Sequence, residues 1–223
     1  MKRRIYKQIL SGFLGIILLL SLVGCGQNAT NLKPDDTMEA FYSLIIKQDT
    51  SSMIDLGIDK KESKETLDTY KSSMISTIQM SFESAGVTIT KSQAQDIFNA
   101  ISQKLSSLQY KISIVKNDDK EATVKISSQY INYLNIFKQA KQTTITELKP
   151  MHIEKLSDAK KQLVSNVVDA FKSASVSTDM HSKTFKLKQK KIKSGDNTIL
   201  IFFPENYEEI GSDLTQLVTN QQK

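Results

Sequence analysis

Scarcity sets the first limits on this 223-residue chain: one cysteine, two histidines, three prolines, eight glycines and no tryptophan. A lone cysteine, Cys25, excludes an intramolecular disulfide and any zinc site built from several thiolates. Few glycines and prolines argue against a loop-dominated or disordered chain. His152 and His181 are far apart, and neither lies in a His-Glu-x-x-His motif. Gly-x-Ser-x-Gly, a glycine-rich phosphate loop and a kinase-like set are also missing. No catalytic residue, metal or cofactor is therefore expected, and the chain is read as a non-enzyme.

The net charge of +6 hints at a polyanion partner, but its distribution removes the hint. Lys2, Arg3, Arg4 and Lys7 precede Cys25 and no acidic residue does, so the chain beyond Cys25 carries only about +2. Nucleic acid is not an expected partner.

The charged start is followed by an apolar run from Ile9 to Val23, then by Leu22-Val23-Gly24-Cys25. The run falls short of the roughly 20 residues that span hydrocarbon as a helix, as expected of a secretory signal. The four closing residues resemble the lipobox of bacterial lipoproteins. That resemblance implies cleavage between Gly24 and Cys25 and a diacylglyceryl thioether on Cys25. Two acyl chains hold a protein stably where one is marginal. The expectation is a signal peptide over 1–24, a lipidated tether over 25–33 and one domain over 34–223. Its place is the extracytoplasmic face of the cell membrane, held through the lipid on Cys25.

Beyond Pro34 the apolar residues recur with helical spacing. Met38, Phe41, Tyr42, Ile45 and Ile46 mark a first helix, with Asp36 and Glu39 spaced as a capping box. A short turn of helix spans 51–56 and stops at Gly57. Leu67, Tyr70, Met74, Ile78 and Phe82 form one stripe, and Ala94, Ile97, Ile101, Leu105 and Leu108 another, capped by Thr90 and Gln93. The period then drops to two across Tyr110–Ile114 and Val124–Ser128, around the turn Asn117-Asp118-Asp119-Lys120, which predicts a hairpin. That acidic turn lacks the spacing of a calcium loop. Tyr130, Tyr133, Leu134 and Phe137 return to helical spacing. The longest helix is expected from Pro150 to about Ala174, burying Ile153, Leu156, Leu163, Val167, Ala170 and Phe171. A second hairpin, 184–193 and 198–203, follows, its second strand apolar enough to be covered on both faces. Tyr207, Ile210, Leu214 and Leu217 mark a closing helix. The predicted class is α+β: amphipathic helices packed on a small bent antiparallel sheet made of two hairpins.

Asp36-Thr-Met-Glu-Ala-Phe-Tyr-Ser-Leu-Ile-Ile-Lys-Gln-Asp49 and Lys193-Ser-Gly-Asp-Asn-Thr-Ile-Leu-Ile201 resemble a family of uncharacterised lipoproteins of Gram-positive bacteria. Its members often carry an aromatic where Thr198 stands. The resemblance implies a domain similar to the nuclear-transport-factor-two-like or cystatin-like folds, and it implies no activity.

One charged stretch stands out. Lys186, Lys188 and Lys190 share a face of a regular strand, opposite Phe185 and Leu187. They read either as lysines guarding an edge strand or as a contact with anionic lipid headgroups or wall polymers. Asp179-Met180-His181 offers two metal-ligand types but reads more simply as a polar loop. The function expected is that of a non-enzymatic envelope module binding an unknown protein or small-molecule ligand. The alternative is an envelope enzyme with carboxylates or a histidine in a pocket, and a cavity's lining discriminates the two.

Overall fold

The computed structural model describes residues 33–150 and 156–221. Gly24, Cys25, His152 and Ile153 lie outside these residues. Helix α1 (Pro34–Tyr42) passes directly into a π-helical turn (Ser43–Lys47). Short α2 (Ser51–Asp55), long α3 (Lys60–Ser84) and α4 (Lys91–Ser106) follow. Strands β1 (Tyr110–Asn117) and β2 (Glu121–Ser128) make the first hairpin. Helices α5 (Tyr133–Leu148) and α6 (Leu156–Ser173) lead to the second, β3 (His181–Ser194) and β4 (Asn197–Pro204), and α7 (Ile210–Val218) closes the chain. The sheet is an antiparallel meander in the order β1-β2-β3-β4, so the predicted α+β class holds.

The α1–π segment is the buried spine. Met38, Tyr42, Leu44, Ile45 and Ile46 are all fully enclosed, and burial all round marks a helix covered on every side. Helix α1 packs on β1, β2 and β4, while the π turn meets α4 and α7. The π turn closes through Gln48, which is left-handed at φ 59° and folds its side-chain amide back to donate to Ile45 O at 2.8 Å. Lys47 donates to the carbonyls of Ser106 and Leu108, 2.7 Å each, at the C-terminal end of α4. A cation there satisfies carbonyls that the helix leaves unpaired.

Several expectations needed correction. The box opening α1 is set one turn earlier: the Lys33 N–H donates to the Asp36 carboxylate at 3.0 Å. Glu39 instead accepts from Ser43 Oγ at 3.1 Å and from the Tyr110 hydroxyl. The longest helix among the described residues is α3, with 25 residues, not the one expected after Pro150. Leu156, read as core, is 72% exposed because it sits at the first position of α6. The Thr90–Gln93 box formed as expected, with both reciprocal bonds at 2.9 and 3.2 Å.

β3 pairs with β2 through His181–Lys188 and with β4 through Leu187–Ser194, so it is paired on both sides only around Leu187 and Lys188. Lys188 is thus flanked by strands on both sides, whereas Lys190 lies beyond the β2 pairing, where β3 keeps one open side as the edge reading expects. Its buried positions change parity, from Phe185 and Leu187 to Ile192 and Ser194, while the register with β4 runs unbroken. The hairpin's far end thus offers its other face to the helices, a change that strand twist accommodates over several residues. Ile199, Ile201, Phe202 and Phe203 of β4 are all buried, so this strand is covered on both faces as expected.

Candidate ligand cavity

The apolar stripes of α3 and α4 face α5 and α6 without filling the space between them. A cavity of about 740 Å³ remains, within the ~300–1,000 Å³ range of small-molecule sites. Tyr70, Met74, Ile78 and Phe82 come from α3; Phe98, Ile101 and Leu105 from α4; Tyr133 and Phe137 from α5; Leu163 and Val167 from α6. Ile45 and Ile46 of the π turn and the end of α7 complete the lining. Tyr133 and Phe137 in the lining meet at 5.1 Å, and Phe171 backs Phe137 edge to face at 5.3 Å. Aromatic pairs in such orientations hold a rigid surface.

Among the described residues no Asp, Glu or His lines this cavity. The hydroxyls of Ser81 and Thr219 in its lining donate to the carbonyls of Thr77 and Thr215, four residues earlier, at 2.7 Å each. Burial pushes the Tyr70 phenol well above its usual pKa, keeping it neutral. At the rim, α5 presents Leu134, Lys138, Lys141 and Ile145. Leu134 and Ile145 are 46% and 41% exposed, unusual for large apolar side chains flanking lysines.

A second, polar cleft of about 600 Å³ lies along α5 and α6, lined by Asn135, Gln139, Glu147, Asn166 and Asp169 among others. Its carboxylate Glu147 is engaged by Asn166 at 2.6 Å and Gln162 at 3.0 Å. These bonds tie the two helices together.

The residues singled out in the sequence lie elsewhere. Lys186 and Lys188 are exposed, but Lys188 pairs with Glu205 at 2.8 Å and Glu121 at 3.5 Å. Those carboxylates raise the Lys188 pKa, and Lys188 in turn lowers that of Glu205. Lys190 lies over the rings of Phe203 and Tyr207, at 5.2 and 5.8 Å. The face that the three lysines share is thus partly compensated within the chain. His181 stacks on Tyr130 at 4.0 Å, and among the described residues no three His, Cys, Asp or Glu side chains gather as a metal site. The acidic turn between β1 and β2 is an ordinary hairpin turn in which Lys116 meets Asp118 at 2.6 Å.

Most of the apolar cavity residues were visible in the sequence, but as core; Phe98 fell outside the stripe read for its helix. A helical stripe reads the same whether a neighbour or a ligand covers it. The available signal was the α5 rim, where Leu134, Lys138, Lys141 and Ile145 recur along one helical face.

No family model and no curated protein matches the chain. Among solved structures it is similar to YcdA, a candidate lipoprotein of Bacillus subtilis, with a TM-score of 0.63 at 12% identity. The match covers 83% of this chain and 55% of that one, so this chain spans about half the neighbour's length. At that identity the likeness defines a shared fold. Among the described residues no helix is long and apolar enough to cross a membrane.

Proposed function

We propose that this chain is a lipid-anchored protein of the extracytoplasmic face of a bacterial cell membrane, and that its domain binds an apolar small molecule between α3, α4, α5 and α6. Binding, not catalysis, is the activity assigned. The observation that carries it is the cavity of about 740 Å³, walled by aliphatic and aromatic side chains and without a carboxylate or imidazole in its described lining. A packed interior leaves few voids larger than a water molecule, so an unfilled space of this size is consistent with a ligand site. The anchor is supported by Leu22-Val23-Gly24-Cys25 behind its basic and apolar segments. The description of its structural neighbour as a candidate lipoprotein agrees with it.

Ligand and anchor are tested separately. Protein extracted gently from membranes is analysed by mass spectrometry for small molecules that travel with it. An apolar compound is expected with the native chain and not with Ile101→Trp, which fills the cavity. Identical small-molecule profiles from the two would sink the binding assignment. Cys25→Ser should stop lipid labelling and leave the precursor uncleaved; normal size and membrane retention would remove the anchor.

A further inference from the structure

The cavity assigns a place for an apolar body, and its rim carries information about the rest of the ligand. Inside, the hydroxyls of Ser81 and Thr219 are spent on their own helices, and Tyr70 is held neutral by burial. A ligand with polar groups along its whole length would lose its water there for few partners, chiefly the phenols of Tyr70 and Tyr133 and the buried amide of Gln221. The mainly apolar interior therefore suits a hydrocarbon chain better than a sugar or a nucleotide.

Apart from side-chain hydroxyls, including the Tyr70 and Tyr133 phenols, and the amides of Asn135, Gln142 and Gln221, the polar lining is at the mouth, and the charge there has one sign. Lys138 and Lys141 line the opening from α5 and are exposed. Neither forms an ion pair among the described residues, whereas Lys64, Lys116, Lys183 and Lys188 do. With no acidic side chain in the described lining, these two ammonium groups have nothing there to neutralise them. Leu134 and Ile145 flank them on the same helix, extending the apolar surface past the charges. Lysine suits this position because its stem packs on hydrocarbon while its head stays in water.

Building on the cavity-binding reading, we propose that the occupant is an acyl chain with an anionic headgroup, the chain in the cavity and the headgroup between Lys138 and Lys141. A carboxylate and a phosphate share that chemistry. Either head is held by charge-assisted contacts at the rim, and the chain by burial among Met74, Phe82, Ile101 and Phe137. A neutral lipid of the same chain length fits the interior equally well and gains nothing from the lysines.

The test uses the full lipidated chain in isolated membranes, washed free of the cofactors that would esterify a free acid. Three photoreactive probes are compared: palmitic acid, the alcohol of the same chain, and a lysophosphatidic acid. Labelled peptides from the region of Met74, Ile101 or Phe137 report occupancy, and Ile101→Trp supplies the blocked control. One or both anionic probes should label these peptides about tenfold more than the alcohol, the discrimination expected of a charged hydrogen bond. The doubly substituted Lys138→Gln/Lys141→Gln chain should lose that preference and keep the alcohol signal. The more strongly captured anion identifies the headgroup. Equal labelling by acid and alcohol, or an anion preference that survives in the double variant, overturns the headgroup assignment and leaves the cavity reading standing. No labelling of the cavity by any probe overturns both. Lys138 and Lys141 are exposed, so unchanged thermal unfolding is expected of the variant and is measured alongside.

Discussion

Ser194, at the tip of the β3–β4 hairpin, is bound to the start of α3, 135 residues earlier in the chain: its Oγ accepts the Asp59 N–H at 2.8 Å. The same hydroxyl donates to the Glu62 carboxylate, which also receives the Gly195 N–H at 3.1 Å. Asp59 caps α3, accepting from the N–H groups of Lys61 and Glu62 at 2.8 and 3.2 Å. Hairpin tip and helix cap therefore share one hydrogen-bonded cluster. Ser194→Ala is expected to cost about 1–3 kcal/mol, because a carboxylate loses a buried donor. Equilibrium urea unfolding measures it. A midpoint unchanged from the native protein would mean that water replaces the hydroxyl at no cost.

Gly57 and Gly86 have nearly the same left-handed backbone, φ 86° and 83°, in different surroundings. A Cβ on Gly57 would stand 3.3 Å from Ile199 Cδ1, whereas one on Gly86 would meet nothing within 4 Å. Both Gly→Ala changes carry the left-handed penalty of about 1–2 kcal/mol. Only Gly57→Ala also has to displace the buried Ile199. The expected order is Gly57→Ala less stable than Gly86→Ala, read from thermal or urea unfolding. Equal losses would show that Ile199 yields without resistance.

How far the sequence reached depended on how local each feature is. The Thr90–Gln93 box, the Gly57 stop and the period change at Tyr110 are set within a few residues, and all were legible. The π turn was not, because its surroundings are remote in sequence: it packs among helices, and Lys47 at its end donates to the carbonyls of Ser106 and Leu108. β3 read as one edge strand because lysine alternation does not show where pairing changes sides; β2 covers its first half and β4 its second. Leu156 read as core because periodicity does not tell where a helix begins. The cavity was the least legible feature. Tyr70, Met74, Ile78 and Phe82 define a buried stripe, and no pattern within one helix says how far away the opposite wall stands.

Tyr42 and Tyr70 couple folding to alkaline pH. Tyr42 is enclosed between the α1 spine and β2, with its hydroxyl 2.7 Å from Ser128 Oγ, and Tyr70 lines the cavity. Burial raises both pKa values, while the unfolded phenol titrates near ~10. The neutral form is thus favoured by folding: its contribution is complete below about pH 10 and is lost as pH rises from there toward the raised folded values. Unfolding should begin above about pH 10, together with the rise in tyrosinate absorbance. Tyr70→Phe should shift that onset upward. An onset that stays with the native one would assign the alkaline limit to Tyr42 or to other groups.

The α5–α6 pair makes one wall of the cavity, and Asn166 governs how firmly that wall is held. Its amide nitrogen donates to Thr144 Oγ1 at 3.0 Å and to Glu147 Oε2 at 2.6 Å. Gln162 reinforces it, donating to Glu147 at 3.0 Å and to Asn166 Oδ1 at 3.2 Å. Asn166→Ala removes two bonds that cross between the helices, at an expected cost of about 1–3 kcal/mol. Asn166→Asp is the sharper probe, because it sets a second carboxylate against Glu147. Like charges disfavour ionisation and raise the pKa of the pair. The Asn166→Asp variant should therefore be less stable than Asn166→Ala at neutral pH and recover as pH falls through the raised carboxylate range, where the shared proton removes the repulsion. Unfolding midpoints of both variants across that range provide the measurement. Parallel pH profiles for the two would show that the introduced carboxylate turns to solvent and that α5 and α6 are held by their apolar faces alone.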